Sequence, residues 1–181
     1  MKVYLDTVGC RLNQSEIEAY ARQFRLAGYE LVPDPKDADL AVINTCAVTA
    51  QAASDSRQKI RQMQRLGAGQ TVVTGCWSTL QPEAAAALPG VSRVIANVDK
   101  DRLVPVLLEM PEQVFDLEPV ERQPLPGARM RTRAFIKVQD GCDNRCTFCV
   151  TTLARGSGRS RTMAQVLADI RAAVQGGAQE V

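Results

Sequence analysis

The amino-acid sequence predicts an α/β protein whose first 110 residues form a doubly wound, mostly parallel sheet. Two observations predict this fold class. Short apolar runs alternate four times with longer stretches of helical periodicity, as in strands that are joined by crossover helices. One of these runs, Leu40–Asn44, is apolar almost throughout, which is typical of a strand that is buried on both faces of a sheet.

The individual elements follow from this alternation. A capping box of Ser15 and Glu18 predicts the start of the first helix, and Gly28 predicts its end. Asn13 either caps this helix or orients the residues around Cys10. Later helices are predicted over residues 50–66, 82–89 and 100–110. The predicted strands are Lys2–Thr7, Leu40–Asn44, Thr71–Thr74 and Val91–Ala96.

A second unit follows a linker. Residues 111–128 contain four prolines and scattered glutamates, which predicts a linker. Residues 129–181 then begin again with a strand over Thr132–Gln139, and a Thr162–Gln165 capping box opens a helix. One complete strand cannot close a barrel. We therefore expect residues 1–110 to fold alone, and residues 129–181 to be a truncated unit that is marginally stable without a partner.

The composition excludes several classes of function. The chain has 181 residues, of which 45% are apolar, and it contains no apolar run that approaches a membrane span. Its first residues do not form a signal peptide, so we expect a cytoplasmic protein. Six cysteines in a reducing compartment favour metal binding over disulfides. The sequence has no histidine, which excludes Ser-His and Cys-His catalysis.

Three cysteines in one loop form the first candidate site. Cys142, Cys146 and Cys149 are separated by three and then two residues, directly after the apolar stretch Ala134–Val138. This spacing lets one tight loop bring three thiolates to a single metal centre. A [4Fe–4S] cluster that is held by three cysteines has one iron free to bind another molecule, which a catalytic cluster requires.

Other interpretations of this triplet stay open at this point. A disulfide with a spare thiol suits a secreted protein, but no export signal precedes it. Cys-x-x-Cys is half of a common zinc site, although no second half follows Cys149. A redox Cys-x-x-Cys pair would leave Cys142 without a role.

A second group of three cysteines follows the predicted strands. Cys10, Cys46 and Cys76 each lie two or three residues beyond a strand end. In open α/β sheets, ligands bind at the edge where the carboxyl ends of the strands meet. We therefore expect these cysteines to gather there, with Gly9 and Gly75 letting the backbone approach a bulky ligand. The alternative is three unrelated core thiols, since free cysteine is commonly buried.

The charge of the chain is unevenly distributed. Residues 1–110 hold 12 basic and 12 acidic side chains, whereas residues 122–161 hold nine basic and two acidic ones. This basic block indicates a polyanionic substrate such as RNA, or it compensates the charge of a thiolate cluster. Arg155 and Arg161 are candidates to contact phosphate or carboxylate groups, or are solvated loop residues. The block consists of Arg122, Arg129, Arg131, Arg133, Lys137, Arg145, Arg155, Arg159 and Arg161.

The cysteine triplet with its aromatic residue resembles the signature of the radical S-adenosylmethionine enzymes. In that family, the free iron of a three-cysteine cluster binds S-adenosylmethionine, and one electron cleaves the cofactor to a radical that attacks inert C–H bonds. The resemblance implies that Cys142, Cys146 and Cys149 hold a [4Fe–4S] cluster. It also implies that Phe148 lies beside the adenine of the cofactor.

The wider set of motifs resembles the methylthiotransferases of this superfamily. These motifs are Val8-Gly-Cys10-Arg-Leu-Asn13-Gln, Asn44-Thr-Cys46-Ala-Val-Thr and Thr74-Gly-Cys76, followed by the triplet. The resemblance implies a methylthiotransferase N-terminal domain over residues 1–110, a linker over 111–128, and the first strand–helix unit of an incomplete radical S-adenosylmethionine (β/α) barrel over 129–181. It further implies a second, auxiliary [4Fe–4S] cluster on Cys10, Cys46 and Cys76, whose free iron carries the sulfur for transfer.

The function that the resemblance implies is insertion of a methylthio group into a C–H bond. The sequence motifs around Cys10 and Cys46 are most similar to those of the branch that modifies C2 of N6-threonylcarbamoyladenosine beside a tRNA anticodon. Other branches act on isopentenyladenosine in tRNA or on a ribosomal protein. We expect a tRNA anticodon loop and an electron donor such as flavodoxin or ferredoxin as partners, and we expect the truncated chain alone to be inactive. The alternative from another class is a non-catalytic electron carrier or scaffold with two clusters.

Overall fold

A computed structural model of the chain describes residues 1–115, 123, 125–127, 132–144 and 146–181. Its main feature is a five-stranded sheet in which neighbouring strands are parallel. The strands lie in the order β2-β1-β3-β4-β5, so the winding reverses between β1 and β3. Ligands bind at such a reversal in open α/β sheets. The bounds are β1 Lys2–Thr7, β2 Glu30–Leu31, β3 Leu40–Thr45, β4 Gln70–Gly75 and β5 Val91–Val94.

Helices cover both faces of this sheet, as a doubly wound fold requires. On one face, α1 and α5 pack against Val3, Val42 and Val72. On the other face, α2, α3 and α4 pack against Ala41, Ile43 and Val73. All six residues of β3 are buried, because both faces of this central strand are covered. The bounds are α1 Arg11–Leu26, α2 Ala50–Leu66, α3 Cys76–Leu80, α4 Pro82–Ala86 and α5 Leu103–Leu108.

The predicted strands and the long second helix are confirmed within one or two residues, but two predictions about the helices are wrong and one strand was missed. The first helix begins at Arg11 with Cys10 as its N-cap, so Ser15 and Glu18 lie inside the helix and form no capping box. The short strand β2 was not predicted. The fourth predicted helix is divided into a 3₁₀ turn over Lys100–Arg102 and the helix α5. Pro105 lies in the first turn of α5, where its missing N–H is tolerated.

The second unit is more irregular than the sequence predicts. The segment Thr132–Gln139, expected to be one strand, is paired only at its two ends. Arg133 forms an isolated parallel bridge with Glu180, and β6 pairs with β7 in antiparallel orientation. Between these points the described residues offer no neighbouring strand, so the prediction of a continuous strand is wrong. The elements are β6 Gln139–Asp140, α6 Thr151–Arg155, β7 Arg159–Ser160 and α7 Met163–Gln175.

The helix α7 begins as predicted. Thr162 accepts a hydrogen bond from the backbone N–H of Gln165, and the Gln165 side chain accepts one from the backbone of Thr162, so the capping box is confirmed. Most of the predicted linker, residues 111–128, lies outside the described residues, as do Arg122, Arg129, Arg131 and Arg145. In the part of the chain that is described, no helix has the length and apolar character to cross a membrane.

Candidate functional site

Three of the six cysteines lie at the carboxyl ends of three neighbouring strands. Cys10 follows β1 and caps α1, Cys46 directly follows β3, and Cys76 follows β4 as the first residue of α3. Because β1 pairs with β3 and β3 pairs with β4, the three cysteines share one edge of the sheet at the point where the winding reverses. Cys46 and Cys76 are buried, and Cys10 is half-buried.

The loops that carry these cysteines approach each other closely at two glycines. Gly9 has a φ of +108°, and a Cβ on it would overlap the side chain of Cys46. Gly75 has a φ of +98°, and a Cβ there would overlap the backbone of Thr45. Only glycine combines such a φ with the absence of a side chain. These two glycines therefore allow the three strand ends to pack together.

Asn13 holds the loop of Cys10 against the loop of Cys46. Its side chain is fully buried, and its Nδ2 donates to the carbonyls of Val8 at 2.9 Å and Thr45 at 3.0 Å. Its Oδ1 lies 3.5 Å from the Sγ of Cys10 and accepts from Arg155 Nη2 at 2.8 Å. Asn13 is thus not the cap of α1. The sequence left two roles open for Asn13, a helix cap or a residue that orients the Cys10 loop. These contacts agree with the second role.

The triplet loop is held by the helix that follows it. Thr152 Oγ1 donates to the carbonyl of Cys142 at 3.1 Å and to the carbonyl of Asn144 at 2.9 Å. The backbone N–H of Cys149 donates to the carbonyl of Cys146 at 3.2 Å. Cys142 and Cys149 are half-buried, and Cys146 is exposed.

Two further features of this loop bear on cofactor binding. Hydrogen bonds from the side chain and from the backbone N–H of Thr151 lower the pKa of the Cys149 thiol, and the N–H lies 3.4 Å from its Sγ. A lowered pKa favours the thiolate, which is the form that binds metals. The ring of Phe148 is 90% exposed, so it is available to a ligand at the surface.

The short helix α6 links the triplet to the strand-end cysteines. It begins two residues after Cys149, and its Ala154 carbonyl accepts from Asn97 Nδ2 at 2.6 Å. The same Nδ2 lies 3.7 Å from the Sγ of Cys76. Burial raises the pKa of the Cys76 thiol, and the nearby guanidinium of Arg155 partly opposes this rise.

A buried cluster of four charges lies beside this helix. Lys100 Nζ is 2.6 Å from Glu16 Oε1 and 2.8 Å from Asp140 Oδ2. Arg155 Nη1 is 3.0 Å from Glu16 Oε1 and 2.9 Å from Asp140 Oδ1. Burial raises the pKa of Asp140, but the hydrogen bonds and charges of Lys100 and Arg155 outweigh it and lower this pKa to about 2. The sequence did not single out any of these acidic groups or Lys100.

Of the two roles that the sequence left open for Arg155 and Arg161, the structure shows contact with carboxylates, and these carboxylates belong to the chain itself. Arg155 ends α6 with only 5% of its side chain exposed, because its guanidinium is used within the buried charge cluster. Arg161 Nη1 is 2.6 Å from Asp169 Oδ2 and 3.1 Å from the Lys137 carbonyl. Each described residue of the basic block forms an ion pair: Arg133 with Glu180, Lys137 with Asp101, Arg155 with Asp140, Arg159 with Asp140, and Arg161 with Asp169.

The donor atoms fit iron–sulfur ligation, although they are not assembled around one point. Among the described residues, no group of three His, Cys, Asp or Glu side chains is arranged as a site for one metal ion. All six thiols are free, and thiolates are the ligands that iron–sulfur clusters use. At the same sheet edge, the buried side-chain oxygens of Asn44, Thr74 and Asn97 find no hydrogen-bond partner among the residues that the structure describes. Such unpaired atoms are costly unless a further group binds beside them.

A cavity of about 550 Å³ lies apart from the cysteines. It is located between α1 and α7, and Tyr20, Lys137 and Arg161 are among the residues that line it. None of the six cysteines contributes to its wall. This cavity is therefore separate from the cysteine-rich edge of the sheet.

The fold and these motifs define the class: a doubly wound α/β protein with cysteines at its ligand-binding edge. The model of the family described as uncharacterized protein family UPF0004 matches residues 2–96, and the chain belongs to that family. The matched residues include Cys10, Cys46 and Cys76.

Curated relatives match almost the whole chain. Threonylcarbamoyladenosine tRNA methylthiotransferase MtaB of Chlamydia pneumoniae is 38% identical over 96% of this chain and 40% of its own length. The tRNA-2-methylthio-N(6)-dimethylallyladenosine synthase of Sphingopyxis alaskensis is 34% identical over 98% of this chain and 42% of its own length. The ribosomal protein uS12 methylthiotransferase RimO of Pseudomonas putida is 29% identical over 99% of this chain and 41% of its own length. The resemblance to methylthiotransferases is thus confirmed, and the chain spans about two fifths of these relatives.

A solved structure confirms the fold class. The radical S-adenosylmethionine methyltransferase TsrM from Kitasatospora setae has a TM-score of 0.62 to this chain at 14% identity. The likeness covers 99% of this chain and 47% of that protein. At this identity the likeness concerns the α/β fold alone.

Proposed function

We propose that this chain belongs to a methylthiotransferase that inserts a methylthio group into a C–H bond by radical S-adenosylmethionine chemistry. In this proposal residues 1–110 supply Cys10, Cys46 and Cys76 as ligands of an auxiliary [4Fe–4S] cluster. Residues 129–181 supply Cys142, Cys146 and Cys149 as ligands of the cluster that binds S-adenosylmethionine. Residues 111–128 connect the two units.

The observation that carries the proposal is the position of α6 between the two cysteine groups. The helix starts beside Cys149 and ends at Arg155, next to Cys76. Five helical residues extend over about 7 Å at 1.5 Å per residue. A radical source and a sulfur donor must reach the same substrate atom, and so short a spacer meets that requirement.

The residues of the chain have distinct tasks in this reaction. When bound, the two clusters and S-adenosylmethionine would supply the radical, the methyl group and the sulfur. Thr152 orders the triplet loop by binding two of its carbonyls. The hydrogen bonds from Thr151 lower the pKa of the Cys149 thiol, which favours its binding to metal. Phe148 presents an exposed ring on which the adenine of the cofactor can pack.

For the substrate, we propose N6-threonylcarbamoyladenosine next to a tRNA anticodon, modified in the cytoplasm with electrons from a donor such as flavodoxin or ferredoxin. The support is the number of relatives named for this tRNA modification, at 31% to 38% identity. The described basic block gives no additional support, because its members pair with carboxylates of this chain.

Anaerobic reconstitution with iron and sulfide tests the two cluster sites. The 181-residue chain should bind about eight iron atoms. Alanine at Cys10, Cys46 and Cys76 together should leave about four, and alanine at the triplet should also leave about four. Electron paramagnetic resonance of the variant that keeps only the triplet should change when S-adenosylmethionine is added.

The outcomes separate this proposal from the alternatives. Two clusters whose spectra do not respond to S-adenosylmethionine would identify an electron carrier or scaffold. Failure to bind iron at either group would overturn the proposal. The substrate is tested by expressing the full-length gene in a strain that lacks the tRNA methylthiotransferase and measuring methylthiolated nucleosides by mass spectrometry. Methylthiolated isopentenyladenosine, or modification of a ribosomal protein, would replace the proposed substrate.

A further inference from the structure

Arg155 contacts three segments that are far apart in the sequence. Its Nη2 donates to Asn13 Oδ1 at 2.8 Å, and its Nη1 donates to Glu16 Oε1 at 3.0 Å and to Asp140 Oδ1 at 2.9 Å. Asn13 binds the loops of Cys10 and Cys46. Asp140 lies two residues before the triplet. One guanidinium therefore connects both groups of cysteines.

A second contact joins the same helix to the remaining strand-end cysteine. The Ala154 carbonyl accepts from Asn97 Nδ2, which also lies 3.7 Å from the Sγ of Cys76. Ala154 is buried, with 2% of its surface exposed. Two residues therefore hold the end of α6 next to Cys76, namely Asn97 and Arg155.

We propose that Arg155 is a positioning residue that holds the cysteines at the strand ends in register with the triplet loop, and that its charge raises the reduction potential of the cluster on Cys10, Cys46 and Cys76. The second half of this inference rests on the proposed function. The first half concerns the protein alone and holds whether or not iron is bound.

The shape of the side chain explains why an arginine occupies this position. A guanidinium presents several N–H donors in a fixed plane, so it can bind Asn13, Glu16 and Asp140 at the same time. A lysine ammonium at this position keeps the charge but is a flexible point charge. The charge and the planar set of N–H donors can therefore be separated by substitution. Arg155→Gln removes both, whereas Arg155→Lys removes only the planar set of donors.

Hydrogen exchange of the iron-free chain tests the positioning role. Arg155→Gln and Arg155→Lys should each increase amide exchange several-fold in peptides covering residues 8–14 and 151–156. The control is Arg61→Gln, which removes an exposed arginine on the outer side of α2 and should leave both peptides unchanged. Peptides from β3 and β4 report on global unfolding and should keep their protection in all three variants.

The reduction potential tests the electrostatic role. It is measured in chains whose Cys142, Cys146 and Cys149 are replaced by alanine, so that only the strand-end cysteines can bind iron. Reduction adds negative charge to a cluster, and a neighbouring positive charge favours that state. Arg155→Gln should therefore shift the reduction potential of the cluster to a more negative value. In Arg155→Lys the potential should stay near that of the chain with Arg155.

The possible results distinguish this inference from the proposed function. Unchanged exchange in residues 8–14 and 151–156 of Arg155→Gln overturns the positioning role, whatever the iron content. Equal potentials in Arg155→Gln and the parent overturn the electrostatic role. If the parent binds no iron at the strand-end cysteines, the proposed function and the electrostatic role fail together, while the exchange result still decides the positioning role.

Discussion

Lys100 and Glu16 form an ion pair that is closed off from water, with 2.6 Å between Nζ and Oε1 and with 0% and 1% of their side chains exposed. The pair joins the 3₁₀ turn before α5 to the first turns of α1. Asp140 and Arg155 complete a cluster with two positive and two negative charges. Removing one member of such a cluster leaves a charge buried without compensation, which is far more costly than losing a surface pair.

The first prediction concerns the stability that depends on Lys100. Lys100→Met should lower the free energy of unfolding by roughly 3 to 5 kcal/mol, because Glu16 and Asp140 then lose their fully buried lysine and keep Arg155 as their one close cation, with Lys137 3.7 to 3.8 Å away. The measurement is urea unfolding of the iron-free chain, followed by circular dichroism. The matched control is Lys59→Met, which removes a lysine from an ion pair with Asp6 that is partly open to solvent.

The control pair, Lys59 and Asp6, has the same N–O distance as the buried pair but is partly open to solvent. Lys59 Nζ lies 2.6 Å from Asp6 Oδ2, the same distance as in the buried pair, but 30% and 23% of the two side chains are exposed. Solvent screens such a pair, so Lys59→Met should cost less than about 1 kcal/mol. Equal losses in the two variants would contradict the assignment of the Lys100 cluster as a buried network.

The second prediction is a dependence of stability on acid pH. The pKa of Asp140 is lowered from 3.8 to about 2, so the folded state favours the ionised carboxylate. This contribution is complete above pH 4 and is lost as the pH falls towards 2. It amounts to roughly 2 kcal/mol. Unfolding measured between pH 5 and pH 2 should show a steeper loss in the parent than in Asp140→Asn, and equal slopes would contradict the role of this carboxylate.

The parts of the fold that depend on local patterns were predictable from the sequence. The run Leu40–Asn44 becomes a strand because it is apolar on both faces, and α7 starts at its capping box. The expectation that Cys10, Cys46 and Cys76 meet at one edge followed from the parallel order alone. Each of these inferences uses residues that are close in the sequence, or one general rule of sheet topology.

The charge cluster was not predictable, because its partners are distant in the sequence. Arg155 and Glu16 are separated by 139 positions, and the sequence around either residue gives no sign that the two side chains are in contact. Lysine is rarely buried, so Lys100 is expected at the surface. Arg155 stands next to a glycine-rich basic stretch that predicts a loop, and only the contact with Asn13 and Asp140 brings it into the interior. Glu16 does give one signal, since it lies beside Ile17 on the buried face of α1.

The third prediction concerns the close approach at Gly9. Gly9→Ala should destabilise the chain by several kcal/mol and reduce iron binding at the strand-end cysteines, because the new methyl group overlaps the side chain of Cys46. The matched control is Gly67→Ala, at the end of α2. Gly67 also has a positive φ, of +81°, but a Cβ there meets no atom within 4 Å.

The two glycine variants separate backbone strain from steric overlap. Gly67→Ala should cost about 1 to 2 kcal/mol, which is the cost of a left-handed conformation for alanine. It should leave iron binding unchanged. The measurements are urea unfolding and iron content after reconstitution. If Gly9→Ala costs no more than Gly67→Ala and binds as much iron, the loops of Cys10 and Cys46 do not pack as closely as described.

The fourth prediction compares two substitutions of Asn13. Asn13→Ala removes the amide that donates to the carbonyls of Val8 and Thr45 and should cost about 2 to 4 kcal/mol, since two acceptors lose their partner. Asn13→Asp should cost more. An ionised carboxylate has the same shape but donates no hydrogen bond, so one of its oxygens faces two carbonyl oxygens, and the attraction to Arg155 compensates only in part. Urea unfolding at neutral pH ranks the variants, and an aspartate variant that is more stable than the alanine variant would show that Arg155, not the two carbonyls, determines the choice of residue at this position.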